Sequence, residues 1–168
     1  MLKTITAMYF SPTHTSQTIT RDVWMGLSQA LGIPVREVDL TAPAERRHRR
    51  CFGPEDLLLF GFPVYGGRLP PVLEDTVSQL RGERTPAVLL ALYGNRDFDD
   101  ALLEASDLLA QNGFTIAAAG AFIGEHSYSR KLAAGRPDKK DRETAAVFAG
   151  QIAEKLQAGN TSVPHIPA

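Results

Sequence analysis

Ser11-Pro12-Thr13-His14-Thr15-Ser16 places four hydroxyl side chains within six residues, between a strand-like run and a helical one. That density suits a bound phosphate. Hydroxyls donate to the anion's oxygens, exposed backbone N–H groups converge on it, and the dipole of the following helix favours negative charge. N-capping by Thr15 or Ser16 needs only one hydroxyl, so four point beyond a structural cap. Neither a Gly-x-x-x-x-Gly-Lys loop nor a Gly-x-Gly-x-x-Gly fingerprint is present, which disfavours nucleoside triphosphate and dinucleotide sites.

Two further segments combine glycine with an aromatic side chain: Pro63-Val64-Tyr65-Gly66-Gly67-Arg68-Leu69-Pro70 and Tyr93-Gly94-Asn95-Arg96-Asp97-Phe98. Glycine lets backbone approach a ligand closely, and the tyrosines offer a stacking surface. The run Arg46-Arg47-His48-Arg49-Arg50 can dock an acidic partner or a phosphate, but it is read as a solvated loop or helix face. Cys51 is the only cysteine, so an internal disulfide and a cysteine-held cluster are both excluded. A formal net charge of −1 argues against a nucleic-acid binder. No apolar run approaches the roughly 20 residues of a membrane span. The N-terminus lacks a signal-peptide layout, so the expected setting is the reducing cytoplasm. The oligomeric state stays open.

The chain alternates strand-like runs with amphipathic helical stretches. Strands are expected at Thr4 to Phe10, Val35 to Leu40, Asp56 to Phe62, Ala87 to Leu92 and Thr115 to Ile123. The continuous apolar third run predicts a strand buried on both faces. The first helix carries Ile19, Val23, Leu27, Ala30 and Leu31 inward and closes at Gly32. Thr41 to Glu55 reads as a loop or short helix. Pro70-Pro71 opens a helix with Leu73, Thr76, Val77 and Leu80 inward. A third helix spans about Phe98 to Gln111, with Leu102, Ala105, Leu108 and Leu109 inward. A last one spans about Asp138 to Gln157, with Ala145, Ala149, Ile152 and Leu156 inward. Residues 1–158 make one domain, and the tail 159–168 is expected to be loose. This order predicts an α/β three-layer sandwich with a five-stranded parallel sheet, binding its ligand at the strands' carboxyl ends. Gly124 to Pro137 is a long polar loop. Its His126, Tyr128, Arg130 and Arg136 form either a lid or docking surface, or a plain surface loop fastened by Arg136 to Asp138.

Ser11, Thr13, Thr15 and Ser16 resemble the FMN-phosphate loop of flavodoxins, commonly Ser/Thr-x-Thr-Gly-Asn/Thr-Thr/Ser. His14 departs from the usual glycine and carries strain if the position demands a positive φ. Phe-Ser-Pro-Thr, Pro-Val-Tyr-x-Gly-Arg-x-Pro, His126-Ser-Tyr-Ser and Gly135-Arg-Pro-Asp are similar to flavodoxin modules that precede a bacterial ferredoxin module. No ferredoxin half is expected here, since it needs several more cysteines. The resemblance implies strand order 2-1-3-4-5 and non-covalent FMN. It implies a cofactor site of Ser11, Thr13, His14, Thr15, Ser16, Pro63, Val64, Tyr65, Gly66, Gly67, Tyr93, Gly94, Asn95, Asp97 and Phe98. A carbonyl near Tyr65-Gly66-Gly67 would accept a hydrogen bond from the flavin N5–H. The implied function is an electron-carrying redox protein with protein partners, a ferredoxin or a reductase among them. An NAD(P)H- or quinone-dependent FMN reductase is the alternative. The four-hydroxyl loop speaks against a third reading, an FMN-free interaction domain.

Overall fold

The computed structural model describes residues 1–126 and 131–168. Its centre is strand β4 (Asp56–Pro63), whose apolar run is buried on both faces between two parallel neighbours. Those neighbours are β1 (Thr4–Tyr9) and β6 (Thr85–Tyr93); β2 (Val35–Asp39) and β7 (Phe114–Ile123) form the edges. Counting the strands of this sheet in chain order gives 2-1-3-4-5, as the resemblance implied. Every pairing in it is parallel, so each return crosses the sheet through a helix or loop.

Helices α1 (Thr15–Leu31) and α4 (Lys139–Gln157) cover one face. They approach closely because Gly26 leaves no Cβ; one built there would lie 2.8 Å from Cβ of Ala149. Ile19, Val23 and Leu27 face inward at helical spacing and Leu31 packs against the same cluster, whereas Ala30 is exposed. Gly32 closes it at φ 66°, with its N–H on the Ser28 carbonyl. The short helix α2 (Glu74–Ser78) and α3 (Ala101–Gln111) cover the other face. Burying each Leu or Phe in these two layers contributes roughly 1.5–3 kcal/mol.

The structure corrects two readings on this second face. The stretch after β2 holds a 3₁₀ turn over Pro43–Arg47 and then a strand, β3 (Arg50–Phe52). Leu80 belongs not to the preceding helix but to β5 (Leu80–Gly82), which pairs in parallel with β3 as a separate two-stranded sheet. Runs of three residues carry no periodicity to read. Tertiary contacts hold them instead: Phe52 meets Phe114 edge-on at 5.6 Å, and Asn112 Nδ2 donates to the Val77 carbonyl. β7 also carries a bulge. Ala87 pairs with Ile116 but Val88 with Ala118, leaving Ala117 as an extra residue. Lys155 Nζ donates to its carbonyl at 2.7 Å. The tail has no regular structure, and Ile166 packs back onto the core cluster beneath α3.

Candidate functional site

The carboxyl ends of β1, β4, β6 and β7 open onto one cavity of about 590 Å³, within the usual range for small-molecule sites. The β1–α1 loop contributes Thr13 and Thr15; the loop after β4 contributes Pro63 to Gly67. Leu92, Tyr93, Gly94, Arg96, Asp97 and Asp99 come from β6 and its loop, and Gly124, Glu125 and His126 from beyond β7.

The first loop divides its hydroxyls between structure and cavity. Ser11 is buried and accepts the Gln17 N–H on Oγ at 2.9 Å, capping α1, while its own N–H donates to Thr41 Oγ1. His14 adopts φ 68°, the left-handed conformation that favours glycine. Its ring turns away from the cavity, with Nδ1 3.2 Å from Gln17 Oε1. Gln17 in turn donates from Nε2 to the Tyr9 hydroxyl, which donates to Glu37 Oε1 at 2.6 Å. Burial, reinforced by Glu37, pushes the Tyr9 phenol well above its ordinary range, so it stays protonated as a strut. Thr13 and Thr15 face the cavity. The N–H groups of Thr13, Thr15 and Ser16 find no acceptor among the described residues, as expected at a helix start. Ser16 is 1% exposed, and its Oγ has no partner among the described residues.

Tyr65-Gly66-Gly67-Arg68 is a tight turn closed by two backbone hydrogen bonds between Tyr65 and Arg68. Both central residues have positive φ, 58° and 76°, the combination of a type I′ turn that glycine supplies without strain. Glu104 on α3 pins it, accepting from Arg68 Nε, Arg68 Nη2 and the Leu69 N–H. The guanidinium holds the Glu104 carboxyl below the usual carboxylate range. The Gly67 carbonyl accepts the Asp100 N–H, and a Cβ on Gly67 would fall 2.3 Å from Asp99 Oδ2. The two loops are therefore packed backbone against side chain.

Tyr65 is 40% exposed and meets Phe10 edge-on; Tyr93 is half-buried and meets Phe98 edge-on at 5.5 Å. Of the residues singled out from sequence, the fold brings Thr13, Thr15, Pro63, Val64, Tyr65, Gly66, Gly67, Tyr93, Gly94 and Asp97 to the cavity. Ser11, His14, Ser16, Asn95 and Phe98 do not line it: Ser11 and His14 accept from the first turn of α1, Ser16 is buried within that helix, Asn95 is exposed at φ 60°, and Phe98 backs Tyr93. Leu92, Arg96, Asp99, Gly124, Glu125 and His126 complete the lining. Gly124 to His126 follow a fifth strand end, and the rule that singled out the other loops reaches them too. His126 enters because Gly94 lacks a Cβ, which would sit 2.5 Å from the His126 ring. Tyr128 and Arg130 lie outside the described residues. Arg136 forms its principal ion pair with Asp141 and lies 3.6 Å from Asp138, fastening the loop to α4.

Compared with solved structures, the chain is similar to the flavodoxin of Streptococcus pneumonia TIGR4, with 16% identity, 90% of this chain and 99% of that one covered, and a TM-score of 0.62. A short-chain flavodoxin associated with a PDU bacterial microcompartment gives 16% identity, coverage of 92% and 99%, and a TM-score of 0.64. The fold is flavodoxin-like. An azoreductase from Bacillus anthracis shares it at 12% identity, covering 92% of this chain and 100% of its own, with a TM-score of 0.60. No protein-family model and no curated protein matches the sequence. Among the described residues no group of His, Cys, Asp and Glu is placed to hold a metal ion, and no helix is long and apolar enough to cross a membrane.

Proposed function

We propose that this flavodoxin-like chain binds FMN non-covalently in the cavity and relays electrons between protein partners. One observation carries the reading: Thr13 and Thr15, beside amides at a helix N-terminus that find no acceptor among the described residues, line the same cavity as Tyr65 and Tyr93. Phosphate would take the first end and the flat ring the second. FMN supplies the redox chemistry when bound; the chain holds it, orients it and limits water's access. Thr13 and Thr15 would donate to the phosphate. Tyr65 and Tyr93 would flank the ring, and the Gly66-Gly67 peptides can face its polar edge because no side chain intervenes. The site residues fit FMN better than FAD, since a phosphate enclosed at a helix start leaves little space for an adenylate.

The visible spectrum of the purified chain tests this directly, followed by release and chromatography of the cofactor. FMN in near-stoichiometric amount is expected; mostly FAD, or a colourless protein that takes up no FMN, would reject the site. A reductase using the same cavity is the second reading. It is supported by the azoreductase that shares the fold and by a net charge of only −1, where electron carriers gain from a strong charge of one sign. NAD(P)H oxidation in the presence of quinone separates the two.

A further inference from the structure

The fold splits the run Arg46-Arg47-His48-Arg49-Arg50 into two kinds of residue. Its outer arginines are held. Arg46 Nη1 donates to the carbonyls of Leu40 and Thr41 at 2.7 and 3.1 Å, and its guanidinium lies 5.7 Å from the centre of the Phe10 ring. Arg50 donates to the Glu45 carbonyl and carboxylate at 2.7 and 2.6 Å. Arg47, His48 and Arg49 between them are exposed, and their side chains make no hydrogen bond or ion pair among the described residues. The neighbouring carboxylate, Glu45, is already engaged by Arg50. The result is two exposed guanidiniums and an imidazole, outside any ion pair among the described residues, on a fixed base.

That base adjoins the cavity. Thr41, whose carbonyl holds Arg46, accepts the Ser11 N–H of the hydroxyl loop on its Oγ1. Phe10, beneath the Arg46 guanidinium, contacts Tyr65, which lines the cavity. Two ring contacts therefore separate the arginine run from the candidate cofactor site. Pinned flanks reduce the ordering cost of docking, and exposed guanidiniums steer negatively charged partners.

We propose that Arg47, His48 and Arg49 form the docking surface for an acidic redox protein that exchanges electrons at the neighbouring cavity. The identity of the partner as a redox protein rests on the function proposed above; the docking surface itself rests on the arginine geometry. Its test uses the full chain as purified, with an acidic plant-type ferredoxin as the probe and basic cytochrome c as the counter-probe. Binding of each is titrated at low and at high ionic strength for the parent, for R47E/R49E, and for R84E/K139E, which changes net charge equally at exposed positions elsewhere.

The parent should bind the ferredoxin at low salt and lose it at high salt. R47E/R49E should bind it at least about tenfold more weakly, while R84E/K139E stays within about twofold of the parent. Cytochrome c should bind R47E/R49E no worse than the parent. Equal weakening in both double variants would reduce the effect to net charge and overturn the proposal. So would parent-like binding by R47E/R49E, or a parent that does not bind ferredoxin at low salt. The visible spectrum of the same samples reads the cofactor separately: arginine-dependent binding by a chain that takes up no FMN would keep the docking surface and sink the electron relay.

Discussion

At the scale of single residues, the hydroxyl loop shows one sequence feature doing two jobs. Ser11 caps α1 and Ser16 is buried, so Thr13 and Thr15 are left for the cavity. Replacing both threonines by alanine should weaken FMN binding while leaving the fold intact. Each hydrogen bond lost to a charged phosphate costs about 1.5–3 kcal/mol, or roughly ten- to hundredfold in affinity. Fluorescence titration of the apoprotein with FMN, alongside circular dichroism, reads both halves of that statement. The tyrosines make a second expectation. A stacked ring adds about 0.5–1.5 kcal/mol beyond its buried area, so Tyr65→Ala or Tyr93→Ala alone should weaken FMN without abolishing it. Loss of stacking should also raise the midpoint potential of the bound flavin. Unchanged affinity and potential in both variants would move the ring away from these loops. Local sequence made these residues legible because they directly follow strand ends. His126, beyond the end of β7, falls under the same rule, but the packing of its ring over Gly94 joins distant segments and has no local signal.

At the scale of elements, α4 shows how a loop is tied to a helix. Asp138 and Asp141 form a reciprocal capping box, and Arg136 pairs with Asp141. The Arg136 guanidinium holds the Asp141 carboxyl below the usual carboxylate range. A depressed carboxyl contributes its stability above the unfolded-state value, about 3.9, and loses it as pH falls through the lower folded value. Asp141→Asn should therefore destabilise the protein at neutral pH by about 0.5–2 kcal/mol, the usual cost of a lost cap. The gap to the parent should begin to narrow below about pH 4 and close as pH falls through the lower folded value. Urea unfolding across pH measures it, and a gap independent of pH would show that the pair contributes nothing through its charge. The long elements were legible because their periodicity extends over many residues, as in the α1 stripe of Ile19, Val23 and Leu27. β3 and β5 were not. Each has three residues, and what fixes them is Phe52 on Phe114 and the close approach of the Gly82 and Gly113 backbones, both outside any local window.

At the scale of the whole molecule, the lining of the cavity is gathered from four separate loops at one edge of the sheet. A ligand that touches all four loops must stabilise the native chain as a unit. Binding only the folded state contributes RT ln(1 + [L]/Kd), about 2.7 kcal/mol at a hundredfold excess over Kd. Adding FMN to apoprotein should raise its thermal midpoint with concentration, and riboflavin, lacking the phosphate, should raise it less. Equal shifts would leave the hydroxyl loop without a ligand. The architecture itself was legible from the alternation of strands and helices, because a parallel sheet wound with right-handed crossovers leaves few arrangements.

The bulge at Ala117 gives β7 a property of its own. Before it, Phe114 and Ile116 face the α3 layer; after it, Ala119 and Ala121 face that layer and Phe122 turns to the α1–α4 side. Even-numbered residues thus change sides partway along one strand, which a period of two cannot do without an extra residue. An in-frame loss of the codon for Ala117 would consequently keep residues 118 to 123 on their present sides, whereas loss of the codon for Leu89, in the regular part of β6, would exchange the inner and outer neighbours of every strand residue on one side of it. The same loss of one codon from the exposed tail would exchange nothing of the kind. In this gene the severity of a one-codon deletion is set by whether the segment counts in twos.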